Sequence, residues 1–244
     1  FEAILCQIRR DYFFHLELQR YFGVQELLSP HNARQVYEHC SDLLRRPEYS
    51  VRNLLRKMKV RVLCTTDDPV DTLEWHRKMA ADPDMDVLVF PTFRPDKAMA
   101  VENPEAFNAW TDHLAAAADV DIRDYGDFLD ALKRRHDFFG RHGCRSSDHG
   151  LENMYVEDYS DQEIEAVFQK LRSGKALDLQ ERLQIKSALL FEFALWNREK
   201  GWVQQFHLGA LRNNNSRMLR SLGPDTGWDS IGDFRQGQAL ARFL

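Results

Sequence analysis

Cysteine, glycine-rich turns, long apolar runs and a surplus of either charge are all scarce in this chain, and each scarcity excludes something. There are four cysteines in 244 residues, at positions 6, 40, 64 and 144. None shows C-x-x-C spacing, so neither a disulfide scaffold nor a zinc ribbon is expected. Reduced thiols are the simplest expectation, with Cys64 and Cys144 in buried strands, and that chemistry favours the cytoplasm. No window is long and apolar enough for a bilayer span, and mean hydropathy is −0.53. The first ten residues lack the basic-then-apolar order of a signal peptide, and the sequence does not begin with Met. The twelve glycines form no dinucleotide fingerprint, no P-loop and no G-x-S-x-G elbow. Lys plus Arg (33) and Asp plus Glu (38) are interspersed at a net charge of −5, so no nucleic-acid footprint is present.

Hydrophobic residues make up 43% of the chain, enough for a substantial core. They fall into alternating strand-like and helical stretches. Ser29-Pro30 reads as a helix start, followed by Ala33, Val36, Tyr37, Cys40, Leu43 and Leu44 at helical spacing. Ser50 is expected to cap a short helix to Met58. Strands are expected over 60–64, 86–90, 144–148 and 202–208, short and covered on both faces. Between them the spacing predicts helices over 70–80, 104–118, 125–142, 160–174 and 179–200. Ser160 with Glu163 forms a capping box, and Gly201 stops the last of these helices. A glycine-rich turn over 223–227 and a terminal helix after Asp233 complete the pattern. Strand–helix alternation predicts an α/β fold with a parallel sheet. Periodicity alone does not separate a barrel from an open sheet.

Each expected strand ends in polar groups: Thr65 to Asp68, Arg94, Asp148 with His149, and His207 followed by Arg212. In parallel α/β folds, the C-terminal strand ends form the functional rim. Each group also has an ordinary reading. Asp68 before Pro69 can simply cap a strand-to-helix turn. Arg94 can pair with Asp96, although its rigid setting between prolines suits anion binding. Asp148 can cap a helix, yet a carboxylate before a histidine at a strand end suits acid–base work. His149 can hydrogen-bond within the fold, and one histidine is no metal site. His207 can be a core histidine, but Gly209 beyond it allows close substrate approach. Asn213 to Asn215 can be a turn cluster. Phe138, Phe139, Phe191, Phe193 and Trp196 read as core, and His136 and His142 as solvated.

Several segments, in order, resemble the uronate isomerase family of the amidohydrolase superfamily. They include His15-Leu-Glu-Leu-Gln-Arg-Tyr-Phe-Gly23, Cys64-Thr-Thr-Asp-Asp-Pro69, Arg94-Pro-Asp-Lys97, Ser147-Asp-His149, His207-Leu-Gly-Ala-Leu-Arg-Asn213 and Leu222-Gly-Pro-Asp-Thr-Gly227. The resemblance implies a distorted (β/α)8 TIM-like barrel, of which strands three to six are represented. It implies a segment 1–14 without assignment, a helical lead-in over 15–58 and a partial barrel over 59–244. The implied reaction interconverts D-glucuronate and D-fructuronate, and D-galacturonate and D-tagaturonate. Asp148 and His207 match the family's catalytic positions, and Arg94 and Arg212 its substrate-binding ones. The implied cofactor is a divalent metal, usually zinc, held by a His-x-His pair and an aspartate in a Thr-Asp-Ser-Arg setting. Neither motif is present, and no two of the nine histidines are two residues apart. The chain is therefore expected to be part of a longer enzyme and inactive alone, with no metal ligands of its own. The expected partner is a small hexuronate, with no nucleic acid and no membrane, and a homo-oligomer is allowed. The alternatives are a metal-dependent hydrolase of the same superfamily and a non-catalytic sugar-acid binding module.

Overall fold

The computed structural model describes residues 12–244, so Cys6 and most of the segment 1–14 lie outside the described residues. The chain forms two compact units: residues 12–63 with Pro83–Leu88, and Cys64–Asp82 with Val89–Leu244.

The smaller unit holds α1 (Tyr12–Phe22), α2 (Ala33–Leu44), a 3-10 turn at Pro47–Tyr49 and α3 (Val51–Lys57). Ser29 does not open α2 as expected. It closes a turn in which its backbone N–H donates to Asn32 Oδ1 (2.8 Å), and the helix begins at Ala33. Ser50 does cap α3, accepting from the Asn53 N–H. The Tyr49 ring stacks on Phe22 (5.8 Å between centroids). Its hydroxyl (3.0 Å) and Lys57 Nζ (2.8 Å) both donate to the Tyr21 carbonyl, satisfying the C-terminal end of α1.

The strands are β1 (Val62–Cys64), β2 (Leu88–Phe90), β3 (Ser146–Leu151) and β4 (Val203–Leu208). β1 pairs with β2, and β3 with β4 in parallel. Isolated parallel bridges, Asp67 to Phe93 and Phe93 to Ser147, run between these two pairs. The connections are helical: α4 (Glu74–Ala80), then α5 (Pro104–Ala118) and α6 (Tyr125–Arg141), then α7 (Asp161–Arg172) and α8 (Leu179–Lys200). Parallel strands need such crossovers, because a hairpin cannot reverse the chain twice. The caps explain the helix starts. Asn103 and Asp124 accept from the first-turn amides of α5 and α6, and reciprocal boxes of Ser160 with Glu163 and Asp178 with Glu181 open α7 and α8. Gly201 ends α8 at φ 64°, a left-handed conformation that glycine adopts without a Cβ penalty.

The helix expected from Val70 starts at Glu74, because Leu73 is left-handed (φ 54°) and Asp68 and Asp71 hold the preceding turn. β1 is exposed along its length, Cys64 included, where a buried strand was expected. Phe191 is exposed rather than in the core, on the outer side of α8. His136 is buried, although charged residues surround it in sequence, and it bonds Asn197 through Nε2 (3.1 Å). Phe93 is the pivot of this core. It is fully buried, with edge-on contacts to His136, Phe139 and Phe193. An antiparallel ribbon follows, β5 (Ala210–Leu211) with β6 (Ser230–Ile231), enclosing α9 (Ser216–Leu222). Then comes α10 (Gln236–Phe243).

Buried neutral histidines give the core a pH dependence. Burial pushes His136 down to about 4 from 6.5. Between these values the unfolded chain takes up a proton that the folded chain refuses. Stability is then complete above pH 6.5 and falls as pH drops toward 4, by up to about 3 kcal/mol. Burial of His149, pushed down to about 3 from 6.5, acts with the same sign over a range that starts at the same pH and extends lower. Urea unfolding between pH 4 and 6.5 should show His136→Gln with a slope shallower than wild type by about 1.4 kcal/mol per pH unit. An identical slope would contradict the buried neutral state.

Candidate active site

Side-chain alternation along the strands sorts the polar residues into two layers. On β3, Ser147 and His149 face the helices. The Ser147 hydroxyl lies 3.0 Å from His149 Nε2 and accepts from Asn197 Nδ2 on α8 (2.8 Å), while the His149 ring stacks on Phe193. The ordinary reading of His149 is the one the structure supports. Asp67, bridged to Phe93, shares that layer. Thr65 donates to Asp67 Oδ2 (2.6 Å) and meets His76 Nε2 of α4 (2.7 Å). Asp68 Oδ1 accepts from the Val70 N–H and Trp110 Nε1, and its other oxygen pairs with Lys97. The 65–68 turn is therefore spent on architecture.

The opposite layer brings together three of the four expected residues. The register sets Asp148 beside Gln205 and Gly150 beside His207. Asp148 on β3 and His207 on β4 thus share a face, and His207 Nδ1 lies 3.0 Å from Asp148 Oδ1. Arg94, one residue beyond the Phe93 bridge, reaches the same carboxylate, with Nη1 3.3 Å from Oδ2. The Asp148 side chain is only 5% exposed, whereas His207 is 50% exposed. A carboxylate that deep needs charge and donors brought to it, and both are present.

Gln205 was not singled out by sequence, although its position two residues before His207 puts it on the same face. Its amide nitrogen donates to Asp148 Oδ1 (3.3 Å) and lies 2.9 Å from His207 Nε2. An amide turned toward a carboxylate presents its NH2, so His207 Nε2 is the acceptor, and Nδ1 is the ring nitrogen that faces Asp148. Arg94 also makes the Asp96 pair (2.8 Å). Burial opposes the charge on Arg94. The hydrogen bond to Asp96 and the fields of Asp96, Asp148 and Asp225 more than offset it and hold the guanidinium above its ordinary range.

Arg212 stands apart from these three. It lies just after β5 and pairs with Asp229 Oδ2 (2.7 Å), and no ion pair joins it to Arg94, Asp148 or His207 among the described residues. Asp229 also accepts the Asn213 N–H (2.8 Å). That backbone bond first, and Arg212 second, keep the Asp229 carboxyl below its usual range. Gly209 has a backbone role beside the expected one of substrate approach. At φ 87° it turns the chain from β4 into the ribbon, where its carbonyl accepts from the Gly232 N–H (2.7 Å). Asn215 caps α9 through Met218 N–H (3.1 Å), and Asn214 bonds Ser230 (2.8 Å), so the asparagine cluster is structural.

This geometry meets a clear set of similarities. The family model described as glucuronate isomerase matches residues 10–244. The chain belongs to the glucuronate isomerase family. It is 50% identical over 230 residues to the uronate isomerase of Bacteroides thetaiotaomicron, covering 94% of this chain and 49% of that protein. It is 49% identical over 231 residues to the uronate isomerase of Cellvibrio japonicus, with the same coverage. The crystal structure of uronate isomerase from Thermotoga maritima superposes with a TM-score of 0.87 at 36% identity, over 99% of this chain and 53% of that one. Glucuronate isomerase from Caulobacter crescentus gives 0.82 at 28% identity, over 93% and 47%. The α/β fold is thus the TIM-barrel-like one of the uronate isomerases, as the resemblance implied. The chain spans about half the length of the curated relatives it matches.

Removing the Asp229 carboxylate should loosen the ribbon that presents Arg212. In Asp229→Ala, hydrogen exchange at residues 210–214 should accelerate by about tenfold or more while α6 to α8 stay protected. Unchanged protection there would show that Asp229 does not hold the ribbon.

Proposed function

We propose that this chain supplies an active-site sector of a hexuronate aldose–ketose isomerase. It would interconvert D-glucuronate with D-fructuronate, and D-galacturonate with D-tagaturonate. The observation that carries the reading is the convergence of Arg94, Asp148 and His207, from three separate segments of the sheet, on one face of a chain half identical to uronate isomerases. Residues 15–58 serve as a helical lead-in and 59–244 as part of the barrel. The substrate is a small monoanion, and guanidinium groups bind carboxylates with charge-assisted, bidentate geometry. Arg94 and Arg212 are the substrate-binding pair in this reading. Arg212 is the freer of the two, half exposed with a single carboxylate partner, whereas Arg94 is shared between two.

The reaction takes a proton from the carbon beside a carbonyl and returns hydrogen one carbon over. That needs a base near the carbon and a group that exchanges protons with the neighbouring oxygens. Asp148 and His207 stand side by side, 3.0 Å apart, so a base and a group serving the neighbouring oxygens are drawn from one contact. The exposed edge of His207 meets solvent or sugar hydroxyls, while buried Asp148 keeps a fixed orientation. Gln205 holds the imidazole in one tautomer.

The divalent metal, zinc, implied by the resemblance finds no ligand set here. Among the described residues no three His, Cys, Asp or Glu side chains gather in a way that fits one. Both Asp148 oxygens are engaged by Arg94, His207 and Gln205. The described residues do not fit the ion. Among the described residues no helix is long and apolar enough to cross a membrane. The free thiols of Cys40, Cys64 and Cys144 support the cytoplasm as the working compartment.

Incubation with D-glucuronate, with ketose product followed by chromatography, tests the reading. Turnover is expected of the longer enzyme that contains this chain, and Arg212→Met there should lower kcat/KM by about 100-fold or more. Equal kinetics in the variant would remove Arg212 from the site. Saturable uronate binding without ketose would favour a binding module.

A further inference from the structure

Arg94 is long and flexible, and something must hold its guanidinium against Asp148. Asp96, which opens the 3-10 turn Asp96–Met99, does this from two directions. Its Oδ2 accepts from Arg94 Nε (2.8 Å) and from the Gly150 backbone N–H (3.0 Å). One oxygen therefore joins the stem of the guanidinium to the end of β3, the strand that carries Asp148. Gly150 completes the arrangement. A Cβ at that position would run into Arg94 Nη2 and lie 3.1 Å from Asp96 Oδ2. The bare backbone at 150 is what lets the guanidinium lie flat across the strand. The other Asp96 oxygen, Oδ1, is buried without a hydrogen-bond partner. Burial pushes the Asp96 carboxyl up, with Arg94 and the Gly150 N–H pulling against it. A carboxylate kept in so unfavourable a place is answering a geometric need rather than a stability one.

We propose that Asp96 is a positioning residue. It clamps Arg94 over Gly150 so that the outer face of the guanidinium meets Asp148 and the substrate. This rests on the reading of Arg94 as part of a hexuronate site. Without the clamp, Arg94 samples several rotamers and loses its fixed orientation. Asn at 96 keeps an acceptor of the same shape, so it should restore much of what Ala removes.

Two readouts on the longer enzyme that contains this chain separate the clamp from the substrate reading. The first is exchange protection of the Arg94 Nε–H by NMR, assigned by its loss in Arg94→Lys. The second is KM and kcat for D-glucuronate. In Asp96→Ala, protection should fall by about tenfold or more, and KM should rise by about tenfold with kcat less affected. Asp96→Asn should recover most of both, and Gly150→Ala should reproduce the rise in KM. An Nε–H that stays protected in Asp96→Ala overturns the clamp, as does lost protection with KM unmoved. If wild type neither binds nor converts glucuronate while the Nε–H still responds, the clamp stands and the hexuronate reading fails.

Discussion

The carboxylate of Asp148 is almost withdrawn from water, and such a group is tolerable only where donors and opposite charge converge on it. Arg94 comes from the segment after β2, His207 and Gln205 from β4, and Asp148 itself from β3. These contacts exist only if the strands are parallel, in register and neighbours in chain order. A one-residue slip of β4 would exchange the layers and aim His207 at the helices. The site and the sheet therefore specify one another.

The layer behind the sheet makes that register firm. Phe93 bridges to both Asp67 and Ser147 and buries its ring among helix-borne aromatics, so Arg94 leaves the sheet at a fixed height. Ser147 bonds Asn197 and His149 stacks on Phe193, both of α8, anchoring β3 from behind. Alternate residues of the same six-residue strand thus serve packing and chemistry. The 3-10 turn after Arg94 then returns Asp96 to β3.

Much of this was legible in the sequence. Strand positions, capping residues and the glycine stop at 201 follow from local chemistry that the fold does not override. Arg94 and His207 stand out as polar groups beyond or at the end of apolar runs, and Asp148 as a carboxylate directly before a histidine. What resisted reading has physical causes. β3 is written Ser-Ser-Asp-His-Gly-Leu, without apolar alternation, because one face carries chemistry and the other a buried polar network. It therefore runs three residues past its expected end. His136 looked solvated among charged neighbours, but helical spacing carries it to the inner side of α6 beside Arg135, which is itself buried on backbone carbonyls. Gln205 was findable from alternation alone. The β5–β6 ribbon was not, since two-residue strands leave too short a pattern, and Arg212 lies where that ribbon puts it.

The central claim is that Arg94 and Asp148 act as one unit, and a double-mutant cycle measures it most directly. Arg94→Met, Asp148→Asn and the double variant would be compared for D-glucuronate affinity by calorimetry. Coupled residues should give an interaction energy of about 1 kcal/mol or more, the second substitution costing less once the first is made. Losses that add to within about 0.3 kcal/mol would mean that the two side chains are neighbours without a shared task.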